Sequence, residues 1–333
     1  MNMQFKNTQL TVFSLLNPVA KNLFGLLAAV AILFTVSCSD AEQSNAELNV
    51  DPALGQAVFA MPEDAANAFN LALVNADMET FGKLLGADYR EVLPLDAVDS
   101  EDVDNFISAW EKHNTLLPQG EQKMLIAVGE GEWTLPIPIV AGTSGWYFDV
   151  EEGLDRMRIR QIGRNELDTM QAVLAYYDAQ MEYAQQDRND NGLLEYAQKF
   201  ISTPGSQDGL FWEVEPGETP SPLGPLMADR SSGGGYHGYF YRILKAQGEH
   251  ARGGAYNYML GNSLRVGFAL IAWPEDFGES GVMSFILSHA GIVYEQNLGP
   301  VGGEIAEAMS AYDPDEGWIP AKEVNGPQGS GAQ

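Results

Sequence analysis

Residues 187 to 198 read DRNDNGLLEYAQ, and the first six follow the pattern D-x-N-x-N-G. That is the opening of a calcium-binding loop, in which oxygen-bearing side chains at alternate positions face one ion and a glycine makes the sharp turn. A complete loop of this kind takes ligands at positions one, three, five, seven (through the backbone carbonyl), nine and twelve. Those positions hold Asp187, Asn189, Asn191, Leu193, Glu195 and Gln198, with Gly192 at the sixth. Gln198 is neutral and cannot clamp an ion with two anionic oxygens, so a complete helix–loop–helix motif is not expected. The remaining set, Asp187, Asn189, Asn191, Leu193 and Glu195, carries two formal negative charges. It predicts weak calcium binding, on the order of 0.1–1 mM. The competing reading is a helix C-terminus whose Asn and Gly residues take left-handed conformations.

Other chemistry is thinly represented. There is no G-x-S-x-G elbow, no H-E-x-x-H pair and no phosphate-binding P-loop. The histidines His113, His237, His250 and His289 are scattered along the chain. Asp149, Glu151 and Glu152 close one strand and could pair with the basic run DRMRIR at 155–160, or could serve a hydrolase as a carboxylate pair. Trp133, Trp146, Trp212 and Trp273 could line a sugar cleft, although patterned tryptophans more often fill a core. The run SSGGGYHGY reads as a flexible loop in preference to a ligand cradle.

The only cysteine, Cys38, ends an apolar run, LFGLLAAVAILFTV, that spans Leu23 to Val36 behind the positive Lys6 and Lys21. Fourteen residues suit a signal-peptide core better than a bilayer span. The sequence TVSC resembles the lipobox of bacterial lipoproteins, in which the cysteine is acylated and becomes the first residue. Such an anchor holds stably to a membrane. Ser39 follows the cysteine where an aspartate would mark inner-membrane retention, so the outer membrane, facing the periplasm, is expected. With Cys38 acylated the chain has no structural disulfide, and its cores must suffice.

Asp and Glu total 46 against 18 Lys and Arg, a net charge of -28, which repels phosphate backbones and excludes nucleic acid as an expected partner. Hydrophobic residues at 45% and charged ones at 19% are the composition of folded cores, not of disorder. The elements that must position the loop divide the chain into a leader (1–37), a flexible tether (38–57), a first domain (58–163), a second (164–320) and a disordered tail (321–333). In the first domain, helices begin at Pro62, Asp77 and Asp99 or Ser100, followed by strands KMLIAVG, EWTLPIPIV and GWYFDV. Pro136 and Pro138 place two missing N–H groups on one side, so that strand is at an edge or locally unpaired. In the second, Asn165 caps a long helix whose core stripe is Leu167, Met170, Leu174, Tyr177, Met181 and Ala184. Strands YHGYFYRIL, LRVGFALIAW, VMSFIL and GIVYEQNL follow, with SHAG as a hairpin turn. Helices followed by strands in each half give an α+β class.

The stretch AFNLALVNADMETFGKLLG resembles the opening of the cystatin-like (nuclear-transport-factor-like) fold, which fixes no function. Across nearly everything after the tether, WTLPIPIV, YYDAQMEYA, YFYRILKAQG, GGAYNYMLGN and GFALIAWPEDFGESGVMSF resemble the bacterial domain-of-unknown-function family 2950. Residues 165 to 299 are also similar to the heads of type IV pilins and pseudopilins. Some of those heads bind calcium, but the similarity maps no residue onto this loop. Taken together, the expectation is a lipid-anchored envelope protein that binds or assembles without catalysis, with calcium as a candidate cofactor and an envelope protein as partner. The alternative is an envelope hydrolase using a carboxylate pair.

Replacing Cys38 with Ser should release the protein from membranes or leave an unprocessed precursor. Mass spectrometry of the native N-terminus checks this, and an intact, unacylated leader would contradict it.

Overall fold

The computed structural model describes residues 48–86, 100–189, 191–214, 217, 219–224 and 235–322. Cys38, the leader, half of the expected tether and most of the expected tail lie outside them. The chain divides into two compact units, Met1–Met157 and Arg158–Gln333. Both are built from helices and antiparallel sheets, so the α+β expectation holds.

The first unit opens with a hairpin of β1 (Val50–Asp51) and β2 (Gln56–Ala57). This corrects the tether, which stops before these residues. Gln56 and Ala57 are buried, and the Gln56 amide donates to the carbonyls of Leu84 (3.4 Å) and Phe148 (3.3 Å). A buried amide with two backbone partners is ordered, whatever its polarity suggests.

Among the described residues three helices follow: α1 (Pro62–Val74), α2 (Met78–Leu85) and α3 (Ser100–Lys112). Pro62 sits in the first turn of α1, where its missing N–H has no intrahelical partner to lose. Asp77 caps α2 by accepting from Thr80 N (3.0 Å) and Thr80 Oγ1 (2.7 Å). The helices cover a sheet of order β3 (Asn114–Pro118), β4 (Lys123–Val128), β6 (Ile139–Ala141), β7 (Trp146–Phe148), with β5 (Trp133–Thr134) also on β4. The gap between β5 and β6 holds Pro136 and Pro138, as the missing donors require. Phe69 centres the core, with ring centroids 5.4 Å from Phe81, 6.0 Å from Phe106 and 5.5 Å from Phe148. Each such ring, fully buried, stabilises by about 1.5–3 kcal/mol.

Helix α4 runs without a break from Val150 to Tyr183. Its start is fixed by Asp149, whose carboxylate accepts from Glu152 N at 3.0 Å. Asn165 therefore does not cap a helix; it lies within one, buried, and donates to the Ser280 carbonyl at 2.8 Å. Gly163 invites a boundary, but an isolated glycine costs a helix only about 1 kcal/mol, too little to end it. The expected core stripe is also corrected. The buried face is Thr169, Ala172, Val173, Tyr176, Ala179, Gln180 and Tyr183. Of the expected residues Met170 is buried, whereas Leu167, Leu174 and Met181 are 48%, 38% and 42% exposed. A polar Thr and Gln on the true face hid it from a reading based on large apolar residues.

In the second unit β8 (Tyr239–Leu244) begins the strand series. A hairpin of β9 (Ala246–Gln247) with β10 (Tyr256–Asn257) and another of β11 (Met259–Leu260) with β12 (Ser263–Leu264) come next. The main antiparallel sheet has the order β16 (Ile319–Pro320), β15 (Val293–Gln296), β14 (Ser284–Ser288), β13 (Ala269–Pro274), β8. SHAG is the hairpin turn between β14 and β15, with Gly291 at φ +76°. β13 and β14 are buried throughout apart from Pro274, because α4 and the short α5 (Gly302–Ala308) contribute to the same core.

Two glycines of α4 give opposite expectations. A Cβ on Gly163 meets nothing within 4 Å, whereas one on Gly153 would lie 2.9 Å from Ile137 Cγ1 and 3.2 Å from its Cα. Gly163→Ala should raise stability by about 0.5–1 kcal/mol, and Gly153→Ala should lower it. Denaturant midpoints of the two variants against the natural chain check the signs.

Candidate metal centre

The chain leaves α4 at Tyr183 and reaches Asp187 through one turn. Asp187 then folds the loop around itself. Its Oδ1 accepts from Asn191 N (3.2 Å) and its Oδ2 from Gly192 N (2.7 Å). Gly192 adopts φ +80°, a left-handed conformation that side chains resist. Asn189 Oδ1 also accepts from Asn191 N (3.3 Å), and Asn191 Oδ1 from Leu193 N (2.9 Å). These bonds tie the side chains at positions one, three and five to the backbone of residues 191–193.

Glu195 closes the ring. Its Oε1 accepts from Asn189 Nδ2 (2.5 Å) and Asn191 Nδ2 (3.4 Å). The residue is only 9% exposed, and its Oε2 is buried with no hydrogen-bond partner among the described residues. A buried carboxylate oxygen without a partner is costly, and a cation is the simplest group to relieve it. Asp187, Asn189, Asn191 and Glu195 bring oxygen-bearing side chains to one short loop, with the Leu193 carbonyl on the same loop. This all-oxygen set suits a hard cation such as calcium and not a thiolate- or imidazole-seeking metal. Among the described residues no group of three or more His, Cys, Asp or Glu could hold a metal, so the amides are essential to the reading.

Gln198, the twelfth position, is committed elsewhere. It donates to the Asn262 carbonyl (2.6 Å) and accepts from Lys245 Nζ (3.0 Å). The loop thus ends at Glu195, the ninth position.

The residue that holds the loop in place was not among those picked out by spacing. Gln180, fully buried on α4, donates to the Ala197 carbonyl (2.8 Å) and accepts from Ala197 N (2.9 Å). It also donates to Tyr176 Oη at 3.0 Å. Tyr196 N adds a bond to the Leu264 carbonyl at 2.7 Å, tying the next residue to β12. The only sequence signal for Gln180 is its place on the helical face of Tyr176 and Tyr183.

Arg188, between Asp187 and Asn189 in the chain, packs against two aromatic rings. Its guanidinium lies 6.0 Å from the Tyr183 ring and 5.3 Å from the Trp212 ring. Burial first, and then the charge of Glu195, push the Tyr183 phenol up to about 12. Trp212 forms part of a cleft of about 760 Å³ lined by residues 201–207 and 211–214.

The remaining candidates are dispersed. Asp149 is the α4 cap, and Glu152 is bonded by Lys123 and by Arg156 Nη2 (2.8 Å). The Lys123 hydrogen bond, with Arg156 adding to it, holds the Glu152 carboxyl below the usual range. The tryptophans separate: Trp212 and Trp273 are buried in the second core, while Trp133 and Trp146 pack against the first. His237 lies 3.4 Å from Asp168 and His250 3.1 Å from Asp313. His289 is drawn below its ordinary value by burial. Of the SSGGGYHGY run, residues 231–234 lie outside the described residues.

Fold and loop define an α+β protein of two units with an oxygen-donor turn at the end of its longest helix. The chain belongs to the family described as Protein of unknown function (DUF2950), whose model matches residues 56–321. No curated protein and no solved structure matches it.

Gln180→Ala would leave the Ala197 N–H and the Ala197 carbonyl short of partners, while the Tyr176 hydroxyl keeps its bond to the Ala269 carbonyl. At about 1–3 kcal/mol for each buried group left unmatched, a loss of roughly 2 kcal/mol or more is expected. Urea unfolding measures it, and an unchanged midpoint would show that the loop is held by other contacts.

Proposed function

We propose that this protein is a lipid-anchored module of the cell envelope that binds or assembles without catalysis, and that its second unit carries calcium in the Asp187–Glu195 loop. Glu195 carries the metal reading: a nine-tenths buried carboxylate, aimed into the loop by Asn189 and Asn191, with one oxygen unpartnered. Asp187, Asn189, Asn191, the Leu193 carbonyl and Glu195 would hold the ion. Its chemistry is charge neutralisation, and the chain's own residues do the positioning.

The anchor reading rests on Cys38 at the end of its apolar run and places the protein at the outer membrane, facing the periplasm. The net charge of -28 supports a protein or cation partner over nucleic acid. Helices followed by a meander support a cystatin-like first unit, and one long helix against an antiparallel sheet supports a pilin-head-like second. The hydrolase alternative gains nothing from Glu152, since a carboxyl held ionised by Lys123 and Arg156 is a poor proton donor.

Calcium at ten times its dissociation constant adds about 1.4 kcal/mol to stability, worth a few degrees of melting temperature. Asp187→Ala should abolish that rise. Glu195→Gln should do so too, yet it should stabilise the calcium-free protein by removing a buried charge. Magnesium, which demands a tighter octahedron, should act far more weakly. Thermal melts in calcium up to about 10 mM, above the expected dissociation constant, test the reading. No shift, or an equal shift in Asp187→Ala, would leave the stretch as a helix stop.

A further inference from the structure

We infer that the solvent side of α4, along Leu167, Gln171, Leu174, Asp178 and Met181, docks a helix of a second protein that carries Lys or Arg beside its apolar stripe. The inference rests on the reading of this protein as a binding module, and it is independent of the cation loop.

In its second half α4 reverses the usual distribution of side chains. Thr169 and Gln180 are buried, while Leu167, Leu174 and Met181 are exposed. Single exposed apolar residues are ordinary, but these three recur at seven-residue steps. A straight helix drifts only about 20° per heptad, so they form one ridge. At 1.5 Å per residue the ridge is roughly 21 Å long. Gln171 and Asp178 fall between its members at steps of four and three, hence on the same face, and both are exposed. The five residues make a heptad seam in which apolar and polar members alternate, a spacing suited to packing against another helix. The seam is distinct from the face of Val173, Tyr176 and Ala179, which is buried in the second core.

Charge decides what the seam accepts. From Asn165 to Asp187 the chain has five acidic residues and no Lys or Arg. Asp178 stands in the middle of the ridge, and a purely apolar cover would strand its carboxylate away from water. A partner must therefore set a cationic side chain against Asp178 while its apolar residues cover Leu167, Leu174 and Met181. A second copy packed on this same face does not meet that need, because it brings carboxylates to carboxylates with no base on either side.

The test uses the full chain and synthetic three-heptad helices. One has Leu at its seam positions and Lys beside them, a second has Glu in place of Lys, and a third scrambles the first. Titration calorimetry should show binding of the Lys helix alone, weakening as salt is raised. Leu174→Gln should weaken binding by about tenfold or more, as losing a central apolar anchor does. Its melting temperature should stay that of the natural chain, since Leu174 lies outside the core. Asp178→Asn should flatten the salt dependence, which a merely structural role would not move. No binding of the Lys helix at up to about 1 mM, equal binding of the scrambled helix, or full binding by Leu174→Gln overturns the surface. A dimer in sedimentation velocity that Leu174→Gln dissociates overturns the occupant, and the seam then serves a second copy. Each of these results leaves the cation loop untouched, because the thermal melts test it separately.

Discussion

Two hydrogen bonds between the Gln180 amide and the Ala197 backbone, 2.8 and 2.9 Å long, set where everything between them lies. They are buried, so their alternative is not water but two unmatched backbone groups. Closing a loop of this length costs entropy that rises only slowly with the number of residues. A single well-placed side chain can therefore hold it. Because the clamp is on α4 and the loop begins one turn past the end of α4, both ends of the turn refer to the same rigid element. That common reference brings Glu195, two residues before the clamp, back onto Asn189 and Asn191.

The clamp also explains why a carboxylate is buried where it has too few partners. Glu195 is drawn under the surface by Tyr196 and Ala197, whose backbone bonds to Leu264 and Gln180 leave it little freedom to turn outward. In a chain of net charge -28 its burial is doubly unfavourable, from lost hydration and from repulsion. Two asparagine amides offset part of that at Oε1, and Oε2 is left over. Burial raises the neighbouring Tyr183 phenol, and the charge of Glu195 adds to the rise.

Much of the fold could be read from residue order, and the exceptions have physical causes. Turn and cap residues spoke plainly: Asp77, Gly192, Gly291 and the Pro136–Pro138 pair each do what their chemistry requires. The loop was visible because its oxygen-bearing residues come from one short stretch. Gln180 was not, because a polar residue on a helix ordinarily faces water, and only the distant Ala197 makes burial favourable. The same polarity hid the true face of α4 and put Leu167, Leu174 and Met181 in its place. Gly163 and Asn165 imitated a helix start, but the actual cap is Asp149, in front of a longer helix. The β1–β2 hairpin was missed for a related reason. Its sequence is small and polar, and its order comes from Gln56 reaching carbonyls 28 and 92 residues away.

Clamp and loop divide two tasks that a single strong site would merge. A metal site that also supplies the fold makes the apo chain collapse when the ion leaves. Here the backbone on either side of the loop is held by Gln180, Tyr196 and α4 whether or not an ion is present. With only two carboxylates and no twelfth-position glutamate, a cation bound there would be held weakly, and at tenfold excess over its dissociation constant it would add about 1.4 kcal/mol. That would be too small to decide folding. Weak affinity would let occupancy follow the surrounding concentration, because a site responds most where that concentration is near its dissociation constant. A loop that is structurally secure and electrostatically incomplete meets both conditions.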